Sequence, residues 1–417
     1  MSHHSGNALH VRRPVARRWF AVVAMIAVIG LTATGARAGD LKNVITDLYG
    51  GDGIRIGEST MFSHAAHFTT QSLSGLENLN EALVSSVRFP SFNTVVTGFT
   101  LDLETGEPVR TTDSLGPLLA ESAITLGKGR INFGASFTHV KFTHFQGDSL
   151  KDLRLRFQHP DANKDGMLGP ATSPFAFELD EVEIAINLSL DQEIFALFFN
   201  YGVTSRWDVG IVVPVVSTRA EAFAVASVVD GTPETPSPHF FGVGGDSQIS
   251  QTGGRRTGIG DIILRTKYNF LRDHEYLPDM AIAAQVALPT GDDDNLLGTG
   301  ETQILIKFIL AKAIGIVTPH LNIGYEFVPG NDELNNVRLA VGADLAIDSI
   351  VTIAFDILGR FAPAGTGIGD NQVDAAFGLK IALTDDVLLN ANILIPLNRD
   401  EGLRAAYILT VGFEINY

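Results

Sequence analysis

From Arg130 onward, apolar residues fall on every second position of one short stretch after another. Side chains alternate faces along a strand, so each stretch has one oily face and one largely polar face. Ile131, Phe133, Ala135 and Phe137 alternate with Asn132, Gly134, Ser136 and Thr138. Leu321, Ile323, Tyr325 and Phe327 alternate with Asn322, Gly324 and Glu326. The last run interleaves Leu409, Val411, Phe413, Ile415 and Tyr417 with Thr410, Gly412, Glu414 and Asn416. Stretches at 153–157, 182–188 and 195–201 show the same period and count as three separate strands. Together the pattern predicts about fourteen strands, between roughly twelve and sixteen. Short turns at 204–206, 312–316, 348–349 and 384–386 alternate with long Gly- and Asp-rich connections at 229–257, 290–300 and 362–370. Short turns on one rim and long loops on the other are the build of a transmembrane β-barrel. The predicted fold is therefore all-β, a closed antiparallel barrel over residues 130–417.

The stretch before the barrel reads differently. Residues 39–92 carry Leu41, Val44, Ile45 and Leu48 at helical spacing, then Gly50, Gly51 and Gly53, then a second helical run near Leu73 to Val84. Without strand alternation it cannot extend the wall. It is expected either as a lumen plug near the end where the chain finishes, or as a free periplasmic arm. Residues 93–129 are a lead-in, with a hairpin around Glu104 to Glu107.

Composition narrows the compartment. Charged residues make up 18 % of the 417, mean hydropathy is +0.17, and there is no Cys. One segment, Trp19 to Ala33, is continuously apolar; it follows Arg12, Arg13, Arg17 and Arg18 and leads to Ala36, Arg37 and Ala38. This is the build of a secretory signal peptide over 1–38, with the mature chain expected from Gly39. An uncleaved anchor is the alternative, and the small-x-small site argues against it. Without Cys, disulfides, thiolate metal sites and Cys nucleophiles are excluded. The net charge of −17 speaks against a nucleic-acid partner. The expected partner is the lipid bilayer of an outer membrane. Thr410, Gly412, Ile415 and Tyr417 also resemble the C-terminal signal read by the bacterial outer-membrane assembly machinery.

Charge is expected inside the barrel, since charge facing lipid is costly. The inward face is assigned Arg265, Lys267, Lys307, Arg338, Arg360, Lys380 and Arg404, with Glu326, Asp344, Asp356, Asp374 and Glu414. Arg154, Arg156, Glu183, Asp208 and Asp261 are placed there too. Such charges either pair across the lumen and hold it shut, or line a solute path.

Motifs for other chemistry are sparse. Asp161, Asn163 and Asp165 supply the first three oxygen positions of a calcium loop, with Gly166 at the sixth. Thr172 stands where the closing bidentate Glu belongs, so an Asx-rich turn is the competing reading. No cofactor is otherwise expected. The chain has no Gly-x-Ser-x-Gly elbow, so a membrane esterase or lipase ranks third among functions and no catalytic residue is assigned.

Four further marks occur in order: Gly258, Gly260 and Asp261 followed by Arg265, Lys267 and Tyr268; Leu288 to Asp292 followed by Leu297 to Gly300; Asn322 to Tyr325; and Tyr201 to Thr204. With them, residues 114–417 resemble an outer-membrane transporter family named for the phenol-degradation meta-pathway. That family is akin to fatty-acid and aromatic-hydrocarbon channels with an N-terminal plug. The resemblance implies passive uptake of small hydrophobic or aromatic solutes and no catalytic residues. A closed structural or binding barrel without flux is the alternative.

Overall fold

The computed structural model describes residues 40–50, 53–57, 68–85, 99–101, 108–110, 114–161, 176–231, 239–242, 245–363, 371–384 and 386–416. The expected signal peptide, Asn163, Asp165 and Tyr417 lie outside them.

Helix α1 covers Thr69–Ser85. Strands β1 (Phe99–Leu101) and β2 (Pro108–Arg110) form a two-stranded sheet of their own. Then follow β3 (Ile131–Phe145), β4 (Asp148–Ser149), β5 (Leu153–Gln158), β6 (Glu181–Thr204), β7 (Trp207–Val229) and β8 (Ser247–Ile259). The next are β9 (Ile262–Leu271), β10 (Asp279–Leu288), β11 (Gln303–Ala311), β12 (Val317–Phe327) and β13 (Asn336–Ala346). The last are β14 (Val351–Phe361), β15 (Asn371–Ala382), β16 (Val387–Pro396) and β17 (Leu403–Asn416).

Twelve of these strands close a barrel. β9 to β17 pair in sequence order, β17 pairs back with β3, β3 with β6, β6 with β7, and β7 with β9. All pairings are antiparallel. β4, β5 and β8 extend the sheet beyond the ring, on the ends of β3, β6 and β7.

The count of fourteen is thus corrected to twelve, and the reason is physical. Residues 182–188 and 195–201 are one strand, β6, not two. Its apolar phase switches midway. In the first half the even positions Val182, Ile184, Ile186 and Leu188 are apolar and buried on the inner face. In the second half the odd positions Phe195, Leu197 and Phe199 are apolar and face outward. β7 mirrors this, with Trp207, Val209, Ile211, Val213 and Val215 outward and Ala220, Ala222, Ala224 and Ala226 buried inward. A spanning strand needs only about 9–11 residues, while β6 has 24 and β7 has 23. The surplus stands outside the bilayer, where water replaces lipid on the outer face. Consequently Arg154, Arg156 and Glu183, expected inside, point outward. Arg154 donates to Glu183 at 2.9 Å and Arg156 at 2.7 Å. The connection expected as a loop at 229–257 contains most of β8, whose residues are polar on both faces because it too lies above the belt.

The belt itself is continuous. Phe137, Phe199, Leu264, Ile323, Phe377 and Val411 stand 42–49 % exposed on the outer wall. So large an exposed apolar surface identifies a partner that is not water. The described residues contain no helix long and apolar enough to cross a membrane.

Residues 40–50, residues 53–57 and α1 pack at the long-loop end, opposite the end where β17 finishes. Leu41, Ile45, Leu48, Phe68 and Leu76 join Ile184, Ile186 and Leu188 of β6 and the alanines of β7 in one buried cluster. Lys42 pairs with Asp294 in the loop before β11, and Ser250 of β8 donates to the Leu48 carbonyl. The sequence-based expectation put this segment at the other end. The apolar inner faces of β6 and β7 above the belt are what hold it here.

The phase switch makes a direct prediction. Phe137→Arg, on the lipid belt, should cost about 2–4 kcal/mol of folding stability in lipid vesicles. Asn187→Arg, outward on β6 above the belt, should change it by less than ~0.5 kcal/mol. Urea unfolding in vesicles measures both, and equal costs would place the bilayer wrongly.

Candidate functional site: the barrel lumen

The lumen is occupied near the end where β17 finishes, and the occupant is the lead-in at 114–126. This segment has no regular structure and is almost wholly buried: Leu115, Leu118, Ala120 and Ala123 are each at most 1 % exposed. A buried stretch without a ladder must place its backbone groups on side chains. The inner wall supplies them. The Leu115 amide donates to Thr352 at 2.9 Å, and the Leu119 and Ala120 amides to Asp356 at 3.2 and 3.4 Å. Asn322 accepts from the Glu121 amide at 2.5 Å and donates back to its carbonyl at 2.9 Å. Lys267 and Asn269 donate to the Ser122 and Ala123 carbonyls at 3.1 and 2.8 Å. The Leu126 amide donates to Asp208 at 2.9 Å. The segment therefore bridges β7, β9, β12 and β14 across the barrel.

Its side chains are seated as specifically. Glu121 forms ion pairs with Lys307 and, at 3.4 Å, with Arg265. Leu118 lies over Gly378, where a Cβ would stand 2.1 Å from Leu118 Cδ1, so any larger residue there would expel it. Gly342 likewise leaves room for His320, which donates from Nε2 to Asp356 at 2.6 Å. Below this segment, Glu414 accepts from Asn132 and Asn390 at 3.5 and 3.3 Å, with Lys380 Nζ at 3.9 Å.

Above the segment lies a cavity of about 250 Å³. Its charged lining includes Arg265, Lys307, Glu326, Arg338, Arg360 and Arg404, with Asp261 and Asp374. Its apolar lining includes Val140, Phe142, Ile263, Leu358, Leu394 and Ile408, interspersed with those charges on the same strands. Arg338 donates to both Glu326 oxygens at 2.9 Å, and Arg404 to Asp374 at 2.5 Å. Asp261 accepts from the Gly291 and Thr299 amides and the Thr299 hydroxyl, at 3.0, 2.8 and 2.9 Å.

The twelve charged residues assigned to the lumen thus fall into two layers. Arg265, Lys307, Glu326, Arg338, Arg360, Asp374 and Arg404 meet at the cavity. Lys267, Asp344, Asp356, Lys380 and Glu414 surround or underlie the lead-in segment. Sequence reasoning missed Glu121, Asn269, His320 and Asn322 as lumen groups. Asn269 and Asn322 carried a usable signal, being polar positions inside oily alternation; Glu121 sits where no period is visible. Of the calcium-loop candidates only Asp161 is described, just beyond β5.

The sequence profile of the family described as "Putative MetA-pathway of phenol degradation" matches residues 186–408, from the first half of β6 to β17. That is just over half of the chain. The chain belongs to this family. No curated protein matches it in sequence. Among solved structures, an outer membrane channel from Pseudomonas putida F1 is similar at 14 % identity and TM-score 0.42, over 71 % of this chain and 98 % of that one. A Pseudomonas aeruginosa FadL homologue is similar at 9 % identity and TM-score 0.32, over 69 % and 90 %. The Ralstonia pickettii toluene transporter TbuX is similar at 9 % identity and TM-score 0.34, over 70 % and 90 %.

Within this family member, Asp356 is the wall residue that accepts from two successive amides of the lead-in, those of Leu119 and Ala120. Asp356→Ala removes the acceptor of two buried amides and of His320. The expected cost is about 1–3 kcal/mol of stability, together with a higher single-channel conductance in planar bilayers. An unchanged conductance would mean that the segment does not limit the path.

Proposed function

We propose that this protein is an outer-membrane channel that lets small hydrophobic or aromatic molecules cross passively. The observation that carries the reading is the half-apolar lumen cavity lying directly above a segment with no ladder of its own. A segment held by side chains can be released without opening the wall, whereas loss of a wall strand would expose backbone to lipid. The family's description, which refers to phenol degradation, supports an aromatic class of solute.

Residues 40–50, residues 53–57 and α1 serve on this reading as a cover at the long-loop end. β17 has a second role during assembly. Thr410, Gly412 and Ile415 lie on it, and Gly412 has no space for a Cβ, which would stand 2.8 Å from the Ala135 carbonyl oxygen. We take these positions, with Tyr417, as the mark by which the outer-membrane assembly machinery selects the chain.

A closed barrel without flux is favoured by one observation only, the number of strands that grip residues 114–126. Liposomes separate the two readings. Purified full-length protein should admit toluene and phenol to an encapsulated reporter faster than protein-free liposomes do. Folded protein that adds nothing to the passive rate for either solute would establish the closed barrel. Deleting Phe413 to Tyr417 should leave Asn132 to Ala135 of β3 and Val387 to Leu389 of β16 unpaired and abolish outer-membrane insertion; a truncated chain that still inserts would refute the closure argument.

A further inference from the structure

Below the cavity, one buried histidine stands between two buried carboxylates: His320 on β12, Asp344 on β13 and Asp356 on β14. His320 Nε2 lies 2.6 Å from Asp356 Oδ1. The other oxygen of Asp356 accepts from the Leu119 and Ala120 amides of the lead-in, at 3.2 and 3.4 Å. On the far side of the ring, Nδ1 faces Asp344 Oδ1 at 3.8 Å. Asp344 reaches the same segment through its Oδ2, which accepts from the Ser114 hydroxyl at 3.4 Å. The ring thus links two carboxylates that grip the lead-in at residue 114 and at residues 119 and 120.

The partners of the ring decide how many protons it carries. An ionised carboxylate only accepts, so Nε2 donates to Asp356. In a neutral imidazole the other nitrogen, Nδ1, is then a bare lone pair. Here it faces the Asp344 carboxylate, and the Thr318 carbonyl near the ring is an acceptor too. Among the described residues, His320 Nδ1 and Asp344 Oδ1 are both buried without a partner at hydrogen-bonding geometry. Such pairs of buried polar atoms are rare and need a cause. A proton on Nδ1 supplies one: a donor then meets an acceptor, and a positive ring sits between two negative groups.

The other neighbours do not replace that charge. Ala311 is the cross-strand partner on β11 and is uncharged. Gly342 is the partner on β13, where a Cβ would stand 2.7 Å from His320 Nε2, so the ring is confined to this place. Lys380 on β15 is the cation that acts on Asp344, and its Nζ is also 3.9 Å from Glu414. With the ring neutral, Asp344, Asp356 and Glu414 would share that one cation.

We propose that His320 is a proton-operated positioning residue of the channel. Its imidazolium joins Asp344 to Asp356 and seats residues 114–126, and loss of the proton lets that segment leave the lumen. This rests on the channel reading and adds what controls it. The direction follows from charge. Deprotonation leaves buried carboxylates short of a cation, and burying charge without a partner is costly. Water that replaces the segment hydrates them and removes the cost. The seated segment and the proton therefore favour each other, and the coupling is reciprocal. Histidine changes charge between about pH 5 and 8, so acid holds the segment and alkali frees it.

The chain has no Cys, so one introduced thiol reports on the segment. Ser122→Cys, buried in the lead-in, is labelled with a water-soluble maleimide in liposomes holding the full-length protein. Its rate is divided by that of Ser205→Cys on the exposed β6–β7 turn, which cancels the pH dependence of the reagent. The ratio should rise about tenfold between about pH 5 and 8. His320→Gln keeps a donor for Asp356 but takes no proton, so the ratio should be high at both ends of the range. Asp344→Asn offers an amide donor to a neutral Nδ1, so the ratio should stay low at both ends. A residue with a merely structural role would not send these two variants in opposite directions. Mobility on a gel without heating reads the folded state, and Asp344→Asn decides alone if His320→Gln fails to fold. A ratio that is flat with pH in the parent, or a pH response that survives in Asp344→Asn, overturns the proposal. Labelling that responds to pH without uptake of toluene into the liposomes would fail the channel and leave the proton latch standing. Toluene uptake with labelling indifferent to pH would do the reverse.

Discussion

Backbone hydrogen bonding in lipid is the constraint on which this structure depends. A peptide group without a partner in hydrocarbon costs several kcal/mol, so a sheet that crosses the bilayer must have no edge. β17 and β3 meet that requirement. Ile408 to Asn416 pair in unbroken register with Val140 to Asn132. The two register shifts in this seam fall at Arg404 and Ala405, toward the long-loop end, where irregularity is less costly. β4, β5 and β8 end on open edges only where the sheet has risen past the belt, and there water satisfies them.

Closure then creates a second problem. A twelve-stranded ring encloses more space than its own inward side chains fill. The molecule fills it with chain. Residues 114–126 bring peptide groups into the lumen, and the wall answers with Asp208, Asn269, Asn322, Thr352 and Asp356. The wall residues are polar because their partners are backbone. Buried polar atoms without a hydrogen-bond partner among the described residues remain in both layers, Lys380 Nζ and Asp344 Oδ1 in the lower and Arg338 Nε in the upper.

The two ends of the barrel are stabilised by different physics. At the end where β17 finishes, hydrogen bonds and ion pairs hold the filling segment. At the long-loop end, apolar contact holds the cover, through Leu41, Ile45, Leu48 and Phe68 against β6 and β7. Between the two lies the cavity, whose Val140 and Phe142 also belong to the apolar cluster beneath the cover. A solute in the cavity therefore touches both arrangements at once.

The period-2 pattern alone determined that the chain is an antiparallel barrel and which faces of most spanning strands point inward. Lys307, Glu326 and Arg338 were readable for that reason, since a charge inside an oily alternation has one place to go. Periodicity could not tell which medium lies outside each half of a long strand. On β6 the inner face is apolar at Ile184 and the outer face is apolar at Phe199, and a local pattern shows this as a break between two strands. The count, the outward turn of Glu183 and the existence of β8 all hinged on that. The position of residues 114–126 was equally hidden. An irregular segment has no period, and its hydrogen-bond partners on the wall lie 80 to 237 residues away in the chain. Only the closed barrel, by bringing β7, β9, β12 and β14 around one axis, decided where that segment goes and what cavity it leaves above it.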